Sequence, residues 1–454
     1  VVLVVLVDEV VLSKSVPGAL EKVRWVELHY TDLTGRLRVT RVAVPSVPST
    51  DAIVARVDGS SVGMAPIERS DLLLVADEST LRPIPWFDGY WRAISDIYVE
   101  WGIRHPCDPR YVTQGVEEYF DSQGLRPLVG VEVEFFVFKE VRLLYRVPIA
   151  TAYRLEFVDR SFGKGLDSNY HTVGEVLGSY LSEVALVLGK YFDVDVRSYH
   201  HEVASSQVEL SLGAKSPKAL SDGIQTVKYV AKSIASVRGL KATFMPKPIY
   251  GENGSGMHVH VSLWRGSTNV FHDPNDEYGI SQLARYFIGG LLSHSRALAA
   301  IVAPTVNSYK RLVPGYEAPV YATWGPANRS AMVRVPKVIT PSDARVEFRP
   351  PDPSSNPYLA IAAILLAGLD GIRKSIDPGE PIKENTYNLH RFPRERTLPR
   401  SLGEALDELA SDNDFLKPVF TRDLLEAYME IKFKELEEVL LVPTPTEFFK
   451  YLDV

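Results

Sequence analysis

Four short stretches of the chain set ionisable side chains two residues apart. Val131-Glu132-Val133-Glu134-Phe135 carries two carboxylates, and Gln207-Val208-Glu209-Leu210-Ser211 carries one between polar groups. Met257-His258-Val259-His260-Val261 carries two imidazoles, and Arg345-Val346-Glu347-Phe348-Arg349 carries three charges. Residues two apart in a β-strand share a face, so each stretch predicts an apolar face and an ionisable one. Helices would cover the first, and a ligand must occupy the second. Glu132 and Glu134 repel each other as neighbours on one face. For that pair alone two readings stay open: a solvated sheet face, or hard oxygen ligands for magnesium or manganese. Adding Glu202, Glu209, Glu347 and His258 makes five carboxylates and one imidazole. These cannot share a small cavity without cations, and two divalent metals would neutralise most of the charge.

His200-His201-Glu202 does not match the H-E-x-x-H pattern, because Ser205 stands where the second histidine would be. Both histidines are read as structural. Gly254-Ser255-Gly256 directly precedes the His258–His260 strand. Glycines let backbone approach a ligand closely, although the same residues suit a plain turn. They form neither a dinucleotide fingerprint nor a Walker loop. Between Asn307 and Pro336 lie Lys310, Arg311, Glu317, Arg329 and Arg334, among Pro314, Gly315, Pro319 and Pro326. Interleaved apolar residues favour a built site over bare surface charge. Arginines facing a two-metal carboxylate cluster suit phosphoryl transfer, where cations and guanidinium groups together clamp phosphate oxygens.

The elements that must position these groups fall into two parts. Residues 22–45 alternate around Asp32-Leu33-Thr34-Gly35 and predict a hairpin. Pro83, Pro85, Pro106 and Pro109 punctuate a linker-like stretch, which places a boundary near residue 105. Residues 1–105 form a small strand-rich domain, and 106–454 a larger mixed one. Helices are expected over Val173–Tyr191, Gln282–Val302 (with Gly289 and Gly290 at its middle), from Asn356-Pro357 to Leu369, and over Thr421–Leu440. Ser401 and Glu404 predict a capping box before Ala405–Ala410.

The 454 residues are 45% hydrophobic and 24% charged, which supports a sizeable core and excludes disordered, collagenous and disulfide-framework classes. A net charge of -7 leaves no global basic field for nucleic acid. The single cysteine, Cys107, can form neither an internal disulfide nor a thiolate metal cluster. Apolar runs such as Val1–Val7 and Ile361–Ala367 are too short to span a membrane. Val1–Leu12 is read as an N-terminal strand or an untidy start, and a cytoplasmic location is the default expectation.

Six motifs stand in order along the chain: Asp58-Gly-Ser-Ser61, Glu132-Val-Glu134-Phe-Phe, His200-His-Glu-Val-Ala204, Lys247-Pro-x-x-Gly-Glu-Asn-Gly-Ser-Gly-Met-His258, Asn307-Ser-Tyr-Lys-Arg-Leu-Val-Pro-Gly-Tyr-Glu-Ala-Pro319, and Arg345-Val-Glu-Phe-Arg349-Pro-Pro-Asp-Pro. Over nearly the full length they resemble the glutamine synthetase family, class I-like. The resemblance implies an α+β fold: a small N-terminal β-grasp-like domain, then a large catalytic domain with a curved antiparallel sheet backed by helices. It implies ATP-dependent ligation of ammonia to the γ-carboxylate of L-glutamate through a γ-glutamyl phosphate. By the same resemblance Glu134, Glu202 and Glu209 would hold one Mg2+ or Mn2+, and Glu132, His258 and Glu347 a second. Asn253, Gly254 and Arg311 would grip glutamate, and Tyr170 would line the ammonium pocket. Arg349 and Arg329 would face the transferring phosphate together with Arg334, and His260 and Ser262 would lie by the nucleotide. Glu317 would be the flap carboxylate that shields the intermediate. Asp58 would deprotonate ammonium from a neighbouring subunit, within two stacked hexamer rings.

The sequence departs from that pattern in places. Ser206 replaces the family's usual glycine before Gln207, Ser342 stands where many members have lysine, and Leu166–Val173 matches poorly. Tyr387, where some bacterial members are adenylylated, is read as a solvent-exposed loop tyrosine. Two rivals remain: a ligase joining another amine, such as a polyamine, to glutamate, and an inactive ring-forming scaffold or nitrogen-sensing partner. Asp58 and the intact 307–319 stretch favour ammonia, and the full set of metal ligands argues against a scaffold.

Overall fold

The computed structural model describes residues 23–43, 53–147, 150–161, 165–172, 174–388 and 392–452. The strand considered at Val1–Leu12 lies outside them. The first unit is a sheet built from β1 (Trp25–Thr31), β2 (Leu37–Ala43), β3 (Val54–Asp58), β4 (Asp71–Pro83), β5 (Tyr90–Glu100) and β6 (Ile103–Arg104). Its order is β2-β1-β5-β4-β3, with β6 on β5. The β1–β5 pair is parallel and the remaining pairs are antiparallel. The expected hairpin is β1–β2. Its turn closes because the Asp32 side chain accepts from the Thr34 and Arg36 backbone N–H groups. Val26, Leu28, Leu72, Leu74, Ala93 and Ile97 form the core of this unit.

The second unit opens with α1 (Pro109–Ser122), capped by the Asp108 side chain. Strands β7 (Arg126–Arg146) and β8 (Ala150–Phe157) form a long hairpin, followed by α2 (Glu175–Phe192), β9 (Val196–His201), β10 (Gln207–Lys215) and α3 (Pro217–Val237). Next come β11 (Lys241–Thr243), β12 (Met257–Arg265), β13 (Thr268–Asn269), α4 (Gln282–Ser293), α5 (Ser295–Val302) and α6 (Ser308–Arg311). The chain then forms β14 (Trp324–Pro326), β15 (Val333–Val335), β16 (Val346–Phe348), α7 (Pro357–Lys374), α8 (Leu402–Ser411), α9 (Arg422–Leu440) and α10 (Pro445–Tyr451). The main sheet runs β14-β15-β16-β12-β7-β10-β9, antiparallel except for β14–β15.

The alternation read from the sequence sorts the two faces of this sheet. Val131, Val133, Val208, Leu210, Val259 and Val261 turn to the helix side and join one large core with α1, α2, α3 and α7. Helix α7 is apolar on every side because it is buried on every side, from Pro357 to Leu369. Its cap, Asn356, accepts from the N–H groups of Tyr358 and Leu359 and donates to the carbonyls of Asp32 and Leu33. One residue thereby begins a helix and holds the β1–β2 turn. Gly35 makes that approach possible, since a Cβ there would lie 2.7 Å from Asn356 Cα. Arg110 of α1 completes the junction between the units, pairing with Asp222 of α3, Asp77 of β4 and Asp96 of β5.

Two helix expectations change. The helix expected over Gln282–Val302 breaks at His294, whose ring nitrogens lie 3.0 Å from Asp370 and 2.8 Å from Asp412. Gly289 and Gly290 stay helical. They mark a close crossing, where a Cβ on Gly290 would stand 2.1 Å from the Ala367 carbonyl oxygen. At Ser401 only half of the capping box forms. Its hydroxyl accepts from the Glu404 N–H, while the Glu404 carboxylate takes the Arg400 N–H.

Candidate active site

Strand register builds the site. Across β7 and β10, Glu134 is opposite Glu209 and Glu132 is opposite Ser211. Across β12 and β7, His258 is opposite Glu132. His260 meets Glu347 of β16, which in turn meets Arg334 of β15. On the other flank Glu209 is opposite His200 of β9. Side chains from six strands therefore share the face turned away from the helices. Those of β7, β9, β10 and β12 line a cavity of about 600 Å³ with Glu202, Tyr170, Asn253, Gly254, Arg311, Glu317, Arg329 and Arg349. A second cavity of about 430 Å³ lies alongside, lined by His260, Ser262, Arg345 and Asp343, and Glu132 borders both.

Contacts within the first cavity are short. Glu132 lies 3.1 Å from His258 Nδ1 through one oxygen and 3.1 Å from His260 Nε2 through the other. Glu134 accepts from Gly256 N–H at 2.9 Å and from Gln207 Nε2 at 3.1 Å. Its other oxygen is 3.7 Å from His258 Nε2. His200 stands 3.2 Å from Glu209 and 3.5 Å from Glu202. Glu347 receives Arg349 Nη1 at 2.6 Å and Arg334 Nε.

The electrostatics show what the cavity needs. Burial and the neighbouring carboxylates Glu134 and Glu209 push Glu202 well above the ordinary carboxylate range. Burial also raises Glu134, aided by Glu209. Burial works against ionisation of Glu132, but the hydrogen bonds to His258 and His260 win and hold it far down. Glu347 is likewise held at about 2, because His260, Arg349, His258 and Arg334 outweigh its burial. Guanidinium groups thus satisfy Glu347, while Glu134, Glu202 and Glu209 repel one another across a space that two histidines enter. Among the described residues, the groups of three donors whose ligand atoms lie within 4.8 Å of one another are Glu132–Glu209–His258, Glu132–His260–Glu347 and His200–Glu202–Glu209. Oxygen-rich sets with one nitrogen fit a hard divalent cation.

This grouping differs from the expected one. Glu134 joins none of the three; Gly256 and Gln207 take one of its oxygens, while the other, 3.7 Å from His258 Nε2, still faces the cavity. His260 enters because it lies two residues beyond His258 on the same face and reaches the free oxygen of Glu132. His200 corrects its structural reading, since it enters the cavity and its ring stacks on His171 at 4.1 Å. The signal was present: Ser198, His200 and Glu202 are spaced two apart, as in the other four stretches. His201 points the other way, onto Asp159 and the Glu202 carbonyl, as a structural histidine does.

The remaining expected residues divide. Asn253 is buried and its Oδ1 has no partner, which leaves an acceptor ready for a ligand's N–H. Gly254 and Gly256 sit where a Cβ would strike the Pro246 carbonyl, Arg311 or His258, so the close approach is real and not a plain turn. Arg311 is buried and held by the carbonyls of Arg349, Pro350 and Pro351. Arg334 is bound to Glu347 and lines neither cavity. Asp58 also lines neither. It ends β3 in the first unit, exposed, with its carboxylate bonded to Ser60 and Ser61. Those hydroxyl bonds hold it far below the ordinary carboxylate range. Tyr387 is corrected. It is half-buried, its hydroxyl donates to the Ala318 carbonyl at 2.9 Å, and burial pushes its phenol up to about 12.

Ser206, the departure before Gln207, sits at φ +57°, the left-handed region that favours glycine. Its own bonds compensate. The N–H donates to Asp159 Oδ1, and the hydroxyl accepts from the Val158 N–H and donates to the Asp159 carbonyl.

Comparisons with known proteins address the whole chain. A family described as "Glutamine synthetase, catalytic domain" matches residues 106–451, and one described as "Glutamine synthetase, beta-Grasp domain" matches 22–100. A protein named Glutamine synthetase from Sulfolobus acidocaldarius is 44% identical, over 97% of this chain and 99% of its own. One of the same name from Archaeoglobus fulgidus is 40% identical, over 98% of each. A solved structure titled as a Plasmodium falciparum glutamine synthetase is 26% identical with a TM-score of 0.85, covering 95% of this chain and 96% of that one.

Proposed function

The chain belongs to the glutamine synthetase family and is an ATP-dependent ligase that forms glutamine; from that premise we propose how its own residues carry the reaction. Family reactions of this kind take ATP and divalent cations. In this reading Glu134, Glu202 and Glu209, with His200 beside them, would hold one cation, and Glu132, His258 and Glu347, with His260 alongside, would hold another. The hard donor set favours Mg2+ or Mn2+. Bound there, such cations supply positive charge to phosphate oxygens.

A carboxylate resists attack by ammonia because oxide is a poor leaving group. Phosphorylation of the glutamate γ-carboxylate by ATP supplies a better one. Asn253 Oδ1 accepts from the substrate's ammonium group, the Gly254 backbone leaves room for it, and Arg311 faces its α-carboxylate. Arg349, fixed by Glu347, and Arg329, exposed on the cavity wall, clamp the transferring phosphoryl group. Arg334 acts at one remove by orienting Glu347. The nucleotide occupies the second cavity beside His260 and Ser262, with Arg345 in place of contacts that Ser342 cannot make.

Glu317 closes the cavity against water, which would hydrolyse the acyl phosphate. Asp58 reaches in from an adjacent subunit, as in two stacked hexamers. Ser60 and Ser61 keep it ionised, so it offers ammonium a standing negative charge, with Tyr170 on the same flank. Transfer of a proton from ammonium to the Asp58 carboxylate then makes the nitrogen nucleophilic. The division of the chain near residue 105 belongs to this reading too, because it assigns Asp58 and the cavity to separate domains.

The observation that carries the proposal is the convergence of five glutamates and three histidines beside Arg311, Arg329 and Arg349. The test is incubation with ATP, Mg2+ and glutamate, offering ammonium, methylamine or a polyamine, with products identified by mass. Glutamine from ammonium is expected. A γ-glutamyl polyamine without glutamine would establish the rival ligase, and no product with any amine would establish the scaffold.

A further inference from the structure

Two stretches that line the first cavity, the Glu317 turn and the loop bearing Arg329, share one brace. Asn328 Nδ2 donates to the carbonyls of Ile382 and Glu384 at 2.9 Å each. The Thr386 N–H bonds to Ser330 Oγ at 2.9 Å, and the Thr386 hydroxyl donates to the Ser330 carbonyl at 2.8 Å. Thr386 is fully buried. Segment 382–386 is therefore fastened to the Arg329 loop. The next residue, Tyr387, extends that fastening to the other loop through its 2.9 Å bond to the Ala318 carbonyl.

The Glu317 turn needs an external hold. Glu317 has φ +59° and Gly315 φ +88°. Glycine adopts such a conformation freely, whereas a residue with a Cβ bears a cost of roughly 1 kcal/mol or more. A strained conformation persists where the surroundings over-determine it. Here Arg349 Nη2 reaches the Glu317 carbonyl at 3.4 Å, and Tyr387 fixes the following peptide at Ala318.

We propose that Tyr387 is a positioning residue for Glu317: by holding the Ala318 carbonyl, its hydroxyl keeps the turn in the left-handed conformation that seats Glu317 on the cavity wall. This rests on the reading of Glu317 as the group that shuts out water. Without the hydroxyl, the turn opens more often while γ-glutamyl phosphate is present. Water then forms a C–O bond at the acyl carbon, the bond to phosphate breaks, glutamate is regenerated and a proton goes to solvent. Ammonia forms a C–N bond with the same leaving group. Tyr387 therefore sets how often ATP is consumed without an amide being made.

The experiment uses the assembled enzyme with ATP, Mg2+, glutamate and ammonium, measuring phosphate and glutamine in the same samples. Wild type should release them in equal amounts. Tyr387→Phe keeps the ring and removes the donor, and should raise the phosphate-to-glutamine ratio by about twofold or more. Thr386→Val loosens the same brace at Ser330 while leaving the Ala318 contact available. It should lower turnover or melting temperature with the ratio near its wild-type value. An unchanged ratio in Tyr387→Phe overturns the proposal, as does an equal rise in Thr386→Val, which would reduce Tyr387 to one strand of a general brace. A wild-type enzyme that makes no glutamine overturns the function itself, and is told apart because no amide then appears in any sample.

Discussion

Glu134 of β7 and Glu209 of β10 are directly opposed residues of one antiparallel ladder, both buried, with both side chains lining the same cavity. Opposed like charges destabilise a sheet, and burial, with Glu209 opposite, raises the cost of ionising Glu134. Fold stability alone gives no reason for this pair. A cation that binds between them turns the repulsion into affinity and links occupancy to stability.

Glu209→Gln is therefore expected to raise the melting temperature of protein held in chelator, because one of the opposed charges is gone. It should also abolish most of the rise that Mg2+ or Mn2+ produces in wild type, a rise worth about 3 kcal/mol at ~100-fold excess over Kd. Paired thermal melts with and without metal check this. A variant with an undiminished metal response would remove Glu209 from the ligand set.

Asp58 lines neither cavity of its own chain, so the proposal that it serves a neighbour predicts complementation. Asp58→Ala should abolish amide synthesis while sparing the metal-induced rise in melting temperature. Arg329→Ala, on an exposed side chain, should also abolish it. Co-assembly of the two variants should restore activity to about a quarter of wild type, the share of interfaces that random mixing leaves with both intact residues. Mixed assemblies as inactive as their parents would place Asp58 outside the reaction.

Ser206 tests how a left-handed backbone survives without glycine. Ser206→Gly relieves the conformation and loses the three bonds of the hydroxyl, one of them long, so stability should stay within about 1 kcal/mol of wild type. Ser206→Val keeps the strain, adds β-branching and loses the same bonds, and should cost about 2–3 kcal/mol. Chemical denaturation of the three proteins measures both. Equal stability of the valine and glycine variants would mean that the left-handed conformation carries no cost here.

His29 makes the contact between β1 and α3 acid-sensitive, for its ring meets that of Tyr229 edge-on at 4.6 Å. Burial lowers it from 6.5 to about 4, against the pull of Glu27. Between those values the unfolded chain binds a proton that the folded chain refuses, so stability falls as pH drops from 6.5 to about 4 and this contribution levels off below. The loss amounts to ~3 kcal/mol. His29→Gln keeps a donor for Glu27 and removes the titration, and its stability should decline less over that window. Parallel slopes for the two proteins, measured by denaturant titration at several pH values, would exclude His29 as the source.

Much of the site was legible because a strand's period is two. Glu132 with Glu134, His258 with His260 and Glu347 with Arg349 declare a polar face whatever the strands pair with. The same rule applied to Ser198, His200 and Glu202 also marks His200. Helix boundaries at Asn356 and Thr421 were readable from their caps, since capping is local chemistry. The break at His294 was not, because it depends on Asp370 and Asp412, which are distant in sequence.

Residue types and their alternation were enough to determine a carboxylate-rich sheet face and the arginines near it, and six ordered motifs carried the resemblance to the family. Tertiary structure alone decided which carboxylates meet. Register sets Glu134 against Glu209 and gives both oxygens of Glu132 to histidines, while Gly256 and Gln207 claim Glu134. It alone decided that Tyr387 holds the Ala318 carbonyl, that Arg334 is bound to Glu347, and that Asp58 stands apart from the cavity of its own chain. Spacing along a strand fixes the direction of a side chain, but its partner is set by pairing between strands far apart in sequence. Those pairings are chosen by the packing of the whole core.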